Sequence, residues 1–199
     1  MTIDGRVLRR RPDDRRAEIV ETARRVFLER GYVETGVTEL AAAGEVSRSS
    51  IYRYFPAGRP DLFLAVAEDL LGELHDRLRY AAGVPFSPAR RMEQLLAALF
   101  AFFQESPEAY RFLFRDVWAA REEAIAEAAM VSRAPLVAEI AGIVAGTGGD
   151  ADELTTTSAG ILGFALANVE LTLTGQAEAQ VAWEVTCRFA TSQMPAPPA

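Results

Sequence analysis

The sequence has 199 residues, half of them hydrophobic and a quarter charged, with a formal net charge of −7. This length is typical of one ordinary domain or of a small domain joined to a larger one, and the composition is that of a globular protein. A single cysteine and a single histidine exclude an intramolecular disulfide, a thiolate metal cluster and a histidine-based triad, so we expect neither a metal nor a cofactor.

The sequence shows no sign of a membrane or secretory segment. No apolar run approaches the roughly 20 residues that a spanning helix needs. The first residues, MTIDGRVLRRRPDDRR, carry charge without an apolar stretch behind it. We therefore expect a cytoplasmic protein with no membrane partner.

Charge is distributed unevenly along the chain. Residues 1–60 hold 12 arginines against 9 acidic residues, whereas residues 61–199 hold 9 arginines against 19 acidic residues. Because an acidic surface repels nucleic acid, any binding to nucleic acid must come from the first third.

Nearly every segment has the apolar period of a helix, and none alternates as a strand does, which predicts an all-α fold. In the first third we expect a helix in AEIVETARRVFLERGY that ends at Gly31. A short helix over about residues 37–43 follows, with Thr35 as its N-cap, and Ser47 caps a second short helix. The segment PAGRP precedes a long helix over about residues 61–79.

The rest of the chain predicts further helices. They begin near residues 88, 107, 121, 151 and 177. Ser87 and Ser106 each precede a proline, which is the order typical of a helix start, and Asp150 or Asp152 begins the next-to-last helix. Pro135 is expected to kink the helix predicted over residues 121–145.

Two short helices joined by a tight turn, with one helix ahead of them, form the plan of a helix-turn-helix DNA-binding unit. Further residues at fixed spacing over about 17–64 sharpen this interpretation: Ala23, Phe27, Gly31, Tyr32, Thr35, Val37, Leu40, Ala41, Val46, Ser47, Ile51, Tyr52, Tyr54 and Phe55. With them the segment resembles the N-terminal domain of TetR-family transcriptional regulators. The resemblance implies about nine helices, with an arm and DNA-binding domain over 1–60, a ligand-binding and dimerisation domain over 61–193, and a disordered tail over 194–199.

Two departures from the family pattern affect the DNA-binding unit. The family usually has Ala-Gly in the turn, where this chain has Gly44 and Glu45. Either Glu45 adopts a left-handed backbone, which is strained for a residue with a side chain, or the turn is rebuilt around Gly44. Ser49 and Ser50 stand where many relatives have a glycine first, which alters the DNA site that is read.

The stretch VSRSSIYRYF, residues 46–55, divides into two faces. Ile51 and Phe55 lie four residues apart and belong to a core face, whereas the other faces carry hydroxyl and guanidinium donors suited to phosphates and base edges. The predicted DNA-binding residues, including those implied by the resemblance, are Thr35, Thr38, Ser47, Arg48, Ser49, Ser50, Tyr52, Arg53, Tyr54 and Arg59. The alternative is a solvated helix face with incidental charge. RVLRRRPDDRR is either an arm that enters the minor groove or a solvated tail.

The resemblance also implies a homodimer and a small-molecule effector. The candidate pocket residues are Phe102, Phe103, Tyr110, Phe114, Arg115, Trp118, Phe164 and Asn168, with Arg115 as the anchor for an anion. The candidate dimer-interface residues are Ala159, Gly163, Leu166, Val181, Val185 and Phe189. For both sets the alternative is ordinary packing in the core of one chain. His75 is expected to be a surface or hydrogen-bonded core histidine.

The combined prediction is a ligand-responsive transcriptional regulator. We expect a repressor that binds a palindromic double-stranded DNA operator as a homodimer and is released by a small apolar or amphipathic effector. The alternative is a helical ligand-binding or interaction protein with a weakened DNA-binding head, which Glu45 and the acidic total suggest. The sequence lacks a nucleophile–base pair and a glycine-rich phosphate loop, so an enzyme is not expected.

Overall fold

The computed structural model describes residues 12–83, 85–120, 122–123, 125–126, 133–145 and 150–194. The predictions for the arm before residue 12 and for the tail after residue 194 lie outside the described residues. The end of the predicted arm, from Pro12 to Arg16, belongs to the first helix.

Every regular element in the described part of the chain is helical, as predicted. The helices described from end to end are α1 (Pro12–Arg30), α2 (Val37–Ala43), α3 (Arg48–Tyr54), α4 (Arg59–Ala82), α5 (Pro88–Glu105), α6 (Pro107–Arg111, a π-helical turn Phe112–Asp116, and Val117–Ala119), α7 (Ala134–Val144), α8 (Ala151–Leu173) and α9 (Ala179–Ser192). They form two compact units, Met1–Ala67 and Glu68–Ala199. No described helix is both long enough and apolar enough to cross a bilayer.

Three aromatic rings form the centre of the first unit. Tyr32 lies 5.6 Å from Phe27 and 4.8 Å from Phe63 between ring centroids, and all three side chains are fully buried. Ile51 and Phe55 are also buried, at 0% and 2% exposure, which confirms the predicted core face of α3. Because this face is buried, the opposite face of α3 is turned to solvent.

The turn between α2 and α3 contains a strained residue. Glu45 has a φ of +50°, in the left-handed region, whereas Gly44 has a φ of −96°. Of the two arrangements that the sequence allows, the chain therefore adopts the one in which Glu45 tolerates the left-handed backbone. A residue with a Cβ pays about 1–2 kcal/mol for this conformation.

The prediction that Thr35 caps α2 is wrong, because the N-cap residue is Gly36. The Thr35 side chain is 1% exposed, and its hydroxyl donates to the Gly31 carbonyl at 2.8 Å. The carboxylate of Glu39 instead accepts from the Gly36 N–H at 3.1 Å. A buried hydroxyl needs a partner, and the Gly31 carbonyl, one residue beyond α1, supplies it.

Other helix starts agree with the sequence. The Ser47 hydroxyl accepts from the Ser50 N–H at 3.1 Å, and the Asp150 carboxylate accepts from the Glu153 N–H at 2.8 Å. Both residues are N-caps, as predicted. Pro135 lies in the first turn of α7, where a proline is tolerated, and does not kink a longer helix there.

The second unit is a bundle in which α8 contacts α5, α7 and α9. The buried side chains are predominantly leucine, isoleucine and phenylalanine. His75 on α4 lies 2.8 Å from the Glu139 carboxylate on α7, between Nε2 and Oε1. The histidine is partly buried and hydrogen-bonded, which is one of the two placements that the sequence predicts.

Candidate nucleic-acid interface

The solvent face of α3 carries a dense set of hydrogen-bond donors. Arg48, Ser49 and Arg53 are exposed, and Tyr52 is 44% exposed. The buried Ile51 fixes the rotation of the helix, so these four side chains point away from the core of the first unit. Guanidinium and hydroxyl groups on one short helix suit the phosphates and base edges of a major groove.

Three serine hydroxyls form a cluster at the start of α3. The Ser47 oxygen lies 2.9 Å from the Ser49 hydroxyl and 2.9 Å from the Ser50 hydroxyl. Because Ser47 also caps the helix, these contacts hold the neighbouring hydroxyls in place. Groups that are already positioned lose less side-chain entropy when a partner binds.

The two tyrosines of α3 are held differently. An Nη2 proton of Arg53 is donated to the Tyr54 hydroxyl at 3.2 Å, and the guanidinium carbon lies 5.2 Å from the Tyr54 ring centroid. Tyr52 packs against Gly58: a Cβ placed on Gly58 would lie 2.9 Å from Tyr52 Cε1. Gly58 also has a φ of +73°, so both its backbone and the ring beside it favour glycine.

Thr35 and Arg59 are brought together beneath this surface. Arg59 donates from Nη1 to the Thr35 carbonyl at 3.4 Å, and its guanidinium carbon lies 4.3 Å from the Tyr32 ring centroid. Arg59 therefore braces the turn before α2, and its charge is stacked on an aromatic ring. The exposed Thr38 lies in the first turn of α2.

Nine of the ten predicted residues are thus exposed or half-exposed, and Thr35 is buried. The sequence interpretation missed Gly58, which positions Tyr52. The signal was present in PAGRP, since glycine is the usual residue where a tight turn needs a positive φ. We name the solvent-facing side of Ser47–Tyr54, opposite the buried Ile51, the α3 face.

Four of the eight predicted pocket residues in the second unit pack among themselves. Phe103 meets Tyr110 at 5.4 Å and Phe114 at 5.7 Å, edge to face, and Phe102 meets Phe103 at 5.1 Å. Trp118, by contrast, is 59% exposed. The aromatic cluster is therefore filled by its own side chains.

Tyr110 and Arg115 border a separate polar cavity of 270 Å³. Arg115 donates from Nη2 to Glu170 Oε1 at 2.6 Å, so this guanidinium already has an anionic partner. The Tyr110 hydroxyl lies 3.2 Å from Glu170 Oε2 and 3.2 Å from the Leu166 carbonyl. Burial and then the Glu170 carboxylate raise the pKa of Tyr110 above its ordinary value, so the phenol stays protonated.

A larger groove of 570 Å³ runs between α7 and α8. Its walls include Val137, Ala138 and Ala141 on α7 and Ala159, Leu162, Gly163 and Leu166 on α8, with Arg133 beside the first turn of α7. None of the eight predicted pocket residues lines it, but three of the six predicted dimer-interface residues do. Sequence reasoning missed Arg133 and the α7 wall.

The remaining interface candidates, Val181, Val185 and Phe189, lie on α9. Val181 and Val185 are 51% and 37% exposed. Phe189 stacks on Phe164 with ring centroids 4.3 Å apart, which joins a predicted interface residue to a predicted pocket residue. Asn168 donates to the Phe164 carbonyl of its own helix at 2.9 Å.

The chain is similar in sequence and in fold to known bacterial regulators. Residues 19–66 match the family described as bacterial regulatory proteins, tetR family. The chain is 26% identical over 122 residues to the HTH-type transcriptional activator FasR of Mycolicibacterium smegmatis, covering 61% of this chain and 55% of that protein. It is 32% identical over 94 residues to the HTH-type transcriptional regulator BetI of Brucella anthropi, covering 47% of this chain and 48% of that protein.

The chain thus spans about half the length of the curated relatives that it matches. Among solved structures, FadR of Thermus thermophilus, a TetR-family repressor in complex with lauroyl-CoA, superposes with a TM-score of 0.70 at 21% identity. The superposition covers 92% of this chain and 97% of that one, and it shows a shared fold.

Proposed function

We propose that the chain regulates transcription by binding operator DNA through the α3 face, because residues 19–66 match the family described as bacterial regulatory proteins, tetR family. The observation that carries the proposal is the division of α3 into two sides. Ile51 is fully buried, while Arg48, Ser49 and Arg53 are exposed. A helix held by its apolar side and free on its donor side is what a major-groove reader needs.

The chemistry of the α3 face supports separate roles for its residues. Arg48 and Arg53 supply positive charge to phosphates, and an arginine also fits the acceptor edge of guanine. Ser49, held by the serine cluster, presents a hydroxyl to a base or a phosphate. Tyr52, with its ring against Gly58, presents its hydroxyl at the edge of the surface.

A homodimer supplies two copies of this face to a palindromic operator. We assign the dimer interface to the outer side of α8 and α9. Val181 and Val185 are exposed apolar residues there. Gly160 and Gly163 lie inside α8, and a Cβ at either would meet no atom within 4 Å. A mid-helix glycine costs about 1 kcal/mol relative to alanine. Close approach by a second chain gives a reason for Gly160, whereas Gly163 lines the groove between α7 and α8.

We further propose that an effector with an apolar or amphipathic character releases the DNA. The ligand acts by population shift: it binds better to a dimer whose two α3 faces are spaced incorrectly for the operator. The fold shared with a repressor that was solved with lauroyl-CoA supports this class of effector. We propose repression as the outcome of binding, although the related FasR is an activator.

The test is a gel shift of the chain on the DNA upstream of its own gene, at several salt concentrations. Specific binding should weaken steeply with salt, because phosphate contacts release counterions. The double variant Arg53→Ala/Tyr54→Ala should bind at least tenfold more weakly, since each lost contact costs about 1–3 kcal/mol. The matched control Arg30→Ala removes the same charge from the end of α1 and should bind nearly as well as the parent.

Far-UV circular dichroism should show the same helix content for all three proteins. If the double variant bound the operator as tightly as the parent, the assignment of the α3 face would be wrong. If no upstream fragment were bound at any salt concentration, the weakened-head alternative would replace this proposal.

A further inference from the structure

The groove between α7 and α8 has the size of a small-molecule site. Its volume of 570 Å³ lies within the range of about 300–1,000 Å³ found for ligand pockets. On α8 the lining runs from Thr155 to Leu166, and at 1.5 Å per residue this wall is about 16 Å long. The groove is therefore long enough for an extended chain.

The walls of the groove are apolar, and their short side chains leave space between α7 and α8. Ala138 and Ala141 face the groove from α7, and Ala159 and Gly163 face it from α8. Ala138, Ala159 and Gly163 are exposed to solvent, so the described side chains leave this space open. An apolar occupant that covers these residues is favoured because it removes their surface from water.

One cationic group lines the groove in the described part of the chain. Arg133 precedes the first residue of α7 and so stands at one end of the α7 wall. Its guanidinium carbon lies 5.1 Å from the Phe114 ring centroid. Thr155 is a polar lining residue, and its hydroxyl donates a hydrogen bond to the Ala151 carbonyl of its own helix at 2.8 Å.

We propose that this groove is the effector site and that it binds the apolar chain of an amphipathic anion. The head group of the anion pairs with Arg133, and the second copy of the protein closes the open side of the groove. The inference rests on the proposed function and names the ligand class and the site. Charge complementarity selects an anionic head, and the length of the apolar wall selects a straight chain. Arg115, the anchor expected from the sequence, is paired with Glu170 and stands at the other cavity.

We infer that the second copy closes the groove because the groove and the proposed dimer interface share residues. Ala159, Gly163 and Leu166 line the groove and belong to the proposed dimer interface on α8. An occupant of the groove therefore touches the surface on which the two copies meet. This gives the ligand a direct route to the spacing of the two α3 faces, because a change in the interface moves one copy relative to the other.

The experiment is calorimetric titration of the full chain, without DNA, with dodecanoate and with uncharged dodecanol. Dodecanoate should bind with a negative heat-capacity change, the sign of apolar burial. Ala138→Phe fills the groove and should weaken dodecanoate binding by at least about tenfold, whereas Ala145→Phe, beyond the end of α7, should leave it unchanged. Arg133→Gln should weaken dodecanoate by about tenfold and leave dodecanol unaffected.

Three results would overturn the ligand assignment: no binding of dodecanoate by the parent protein, equal binding by Ala138→Phe, or an equal loss of both probes in Arg133→Gln. Dodecanoyl-CoA titrated in parallel distinguishes a free fatty acid from its thioester as the better ligand. Operator binding is measured separately. A parent that binds operator but not dodecanoate contradicts this inference alone, and one that binds dodecanoate but not operator contradicts the proposed function alone.

The closure is tested with Val181→Glu/Val185→Glu, which places like charges in the proposed interface and leaves the groove lining intact. Light scattering should show a monomer, and its affinity for dodecanoate should fall at least about fivefold, since one wall is lost. A monomer with undiminished affinity contradicts the closure. A variant that remains dimeric contradicts the interface on which the closure depends.

Discussion

Replacing Glu45 by glycine should stabilise the protein. Glu45 is the non-glycine residue with a positive φ in the described chain, at +50°, and the left-handed backbone costs a residue with a Cβ about 1–2 kcal/mol. Glycine removes this strain but adds about 0.4–1 kcal/mol of entropy to the unfolded chain. The net effect is a gain of about 0.5–1 kcal/mol in the free energy of unfolding.

Thermal unfolding followed by far-UV circular dichroism measures this gain. For a chain of this length, 1 kcal/mol shifts Tm by about 2–4 °C, so Glu45→Gly should raise Tm by about 1–4 °C. Glu45→Ala is the matched control, because it removes the same carboxylate and keeps the Cβ. If alanine stabilised as much as glycine, the gain would come from the lost charge, and the backbone argument would be refuted.

The same variants test the electrostatic role of Glu45. The carboxylate is exposed in the turn directly before α3, where it repels the phosphates of an operator. Glu45→Gly and Glu45→Ala should therefore both bind operator more tightly than the parent, with the larger gain at low salt. Equal affinity in all three proteins would place the carboxylate away from the DNA.

Three further substitutions or reagents test individual contacts. Gly58→Ala should lower the free energy of unfolding, measured by urea denaturation, by at least about 1 kcal/mol and should weaken operator binding. The control Gly72→Ala, on the open side of α4, should raise the free energy of unfolding by about 0.5–1 kcal/mol. The opposite sign for both variants would contradict the positive-φ argument. Thr35→Val should lower the free energy of unfolding by about 1 kcal/mol because a buried hydrogen bond is lost. Thr38→Val, at an exposed position, should change it by no more than about 0.5 kcal/mol. Equal losses would contradict a stabilising role for the buried Thr35 hydroxyl. Burial raises the pKa of the Cys187 thiol to about 11. At pH 8 this thiol should therefore react with Ellman's reagent at least about 100-fold more slowly than free cysteine, and the reaction should become faster as the pH rises. A rate near that of free cysteine would contradict this burial.

Much of the first unit was predictable because its signals are local. Ile51 and Phe55 show the helical spacing of a core face, and Ser47 stands where an N-cap belongs. The start of α1 at Pro12 was missed, although a proline followed by acidic residues is a known helix start. The sequence predicted the departure at Glu45, but only the backbone dihedral decided between its two outcomes.

Predictions failed or stayed open where a side chain has two possible partners. The Thr35 hydroxyl is able to cap α2 or to bond the end of α1, and only the fold shows that Gly31 is its acceptor. Arg59 likewise stacks on Tyr32, a contact between residues far apart in sequence. Composition alone does not distinguish an aromatic core from an aromatic pocket, and the groove arises from the pairing of α7 with α8, which periodicity does not give.

A hydroxyl-radical footprint on the upstream DNA is the most direct test of the central claim, that two α3 faces of a dimer read one operator. The account predicts two protected segments on one side of the duplex, with centres about 10 base pairs or a multiple apart. Both should disappear together in the Arg53→Ala/Tyr54→Ala variant. A single protected segment, or a footprint that this variant leaves unchanged, would contradict the account.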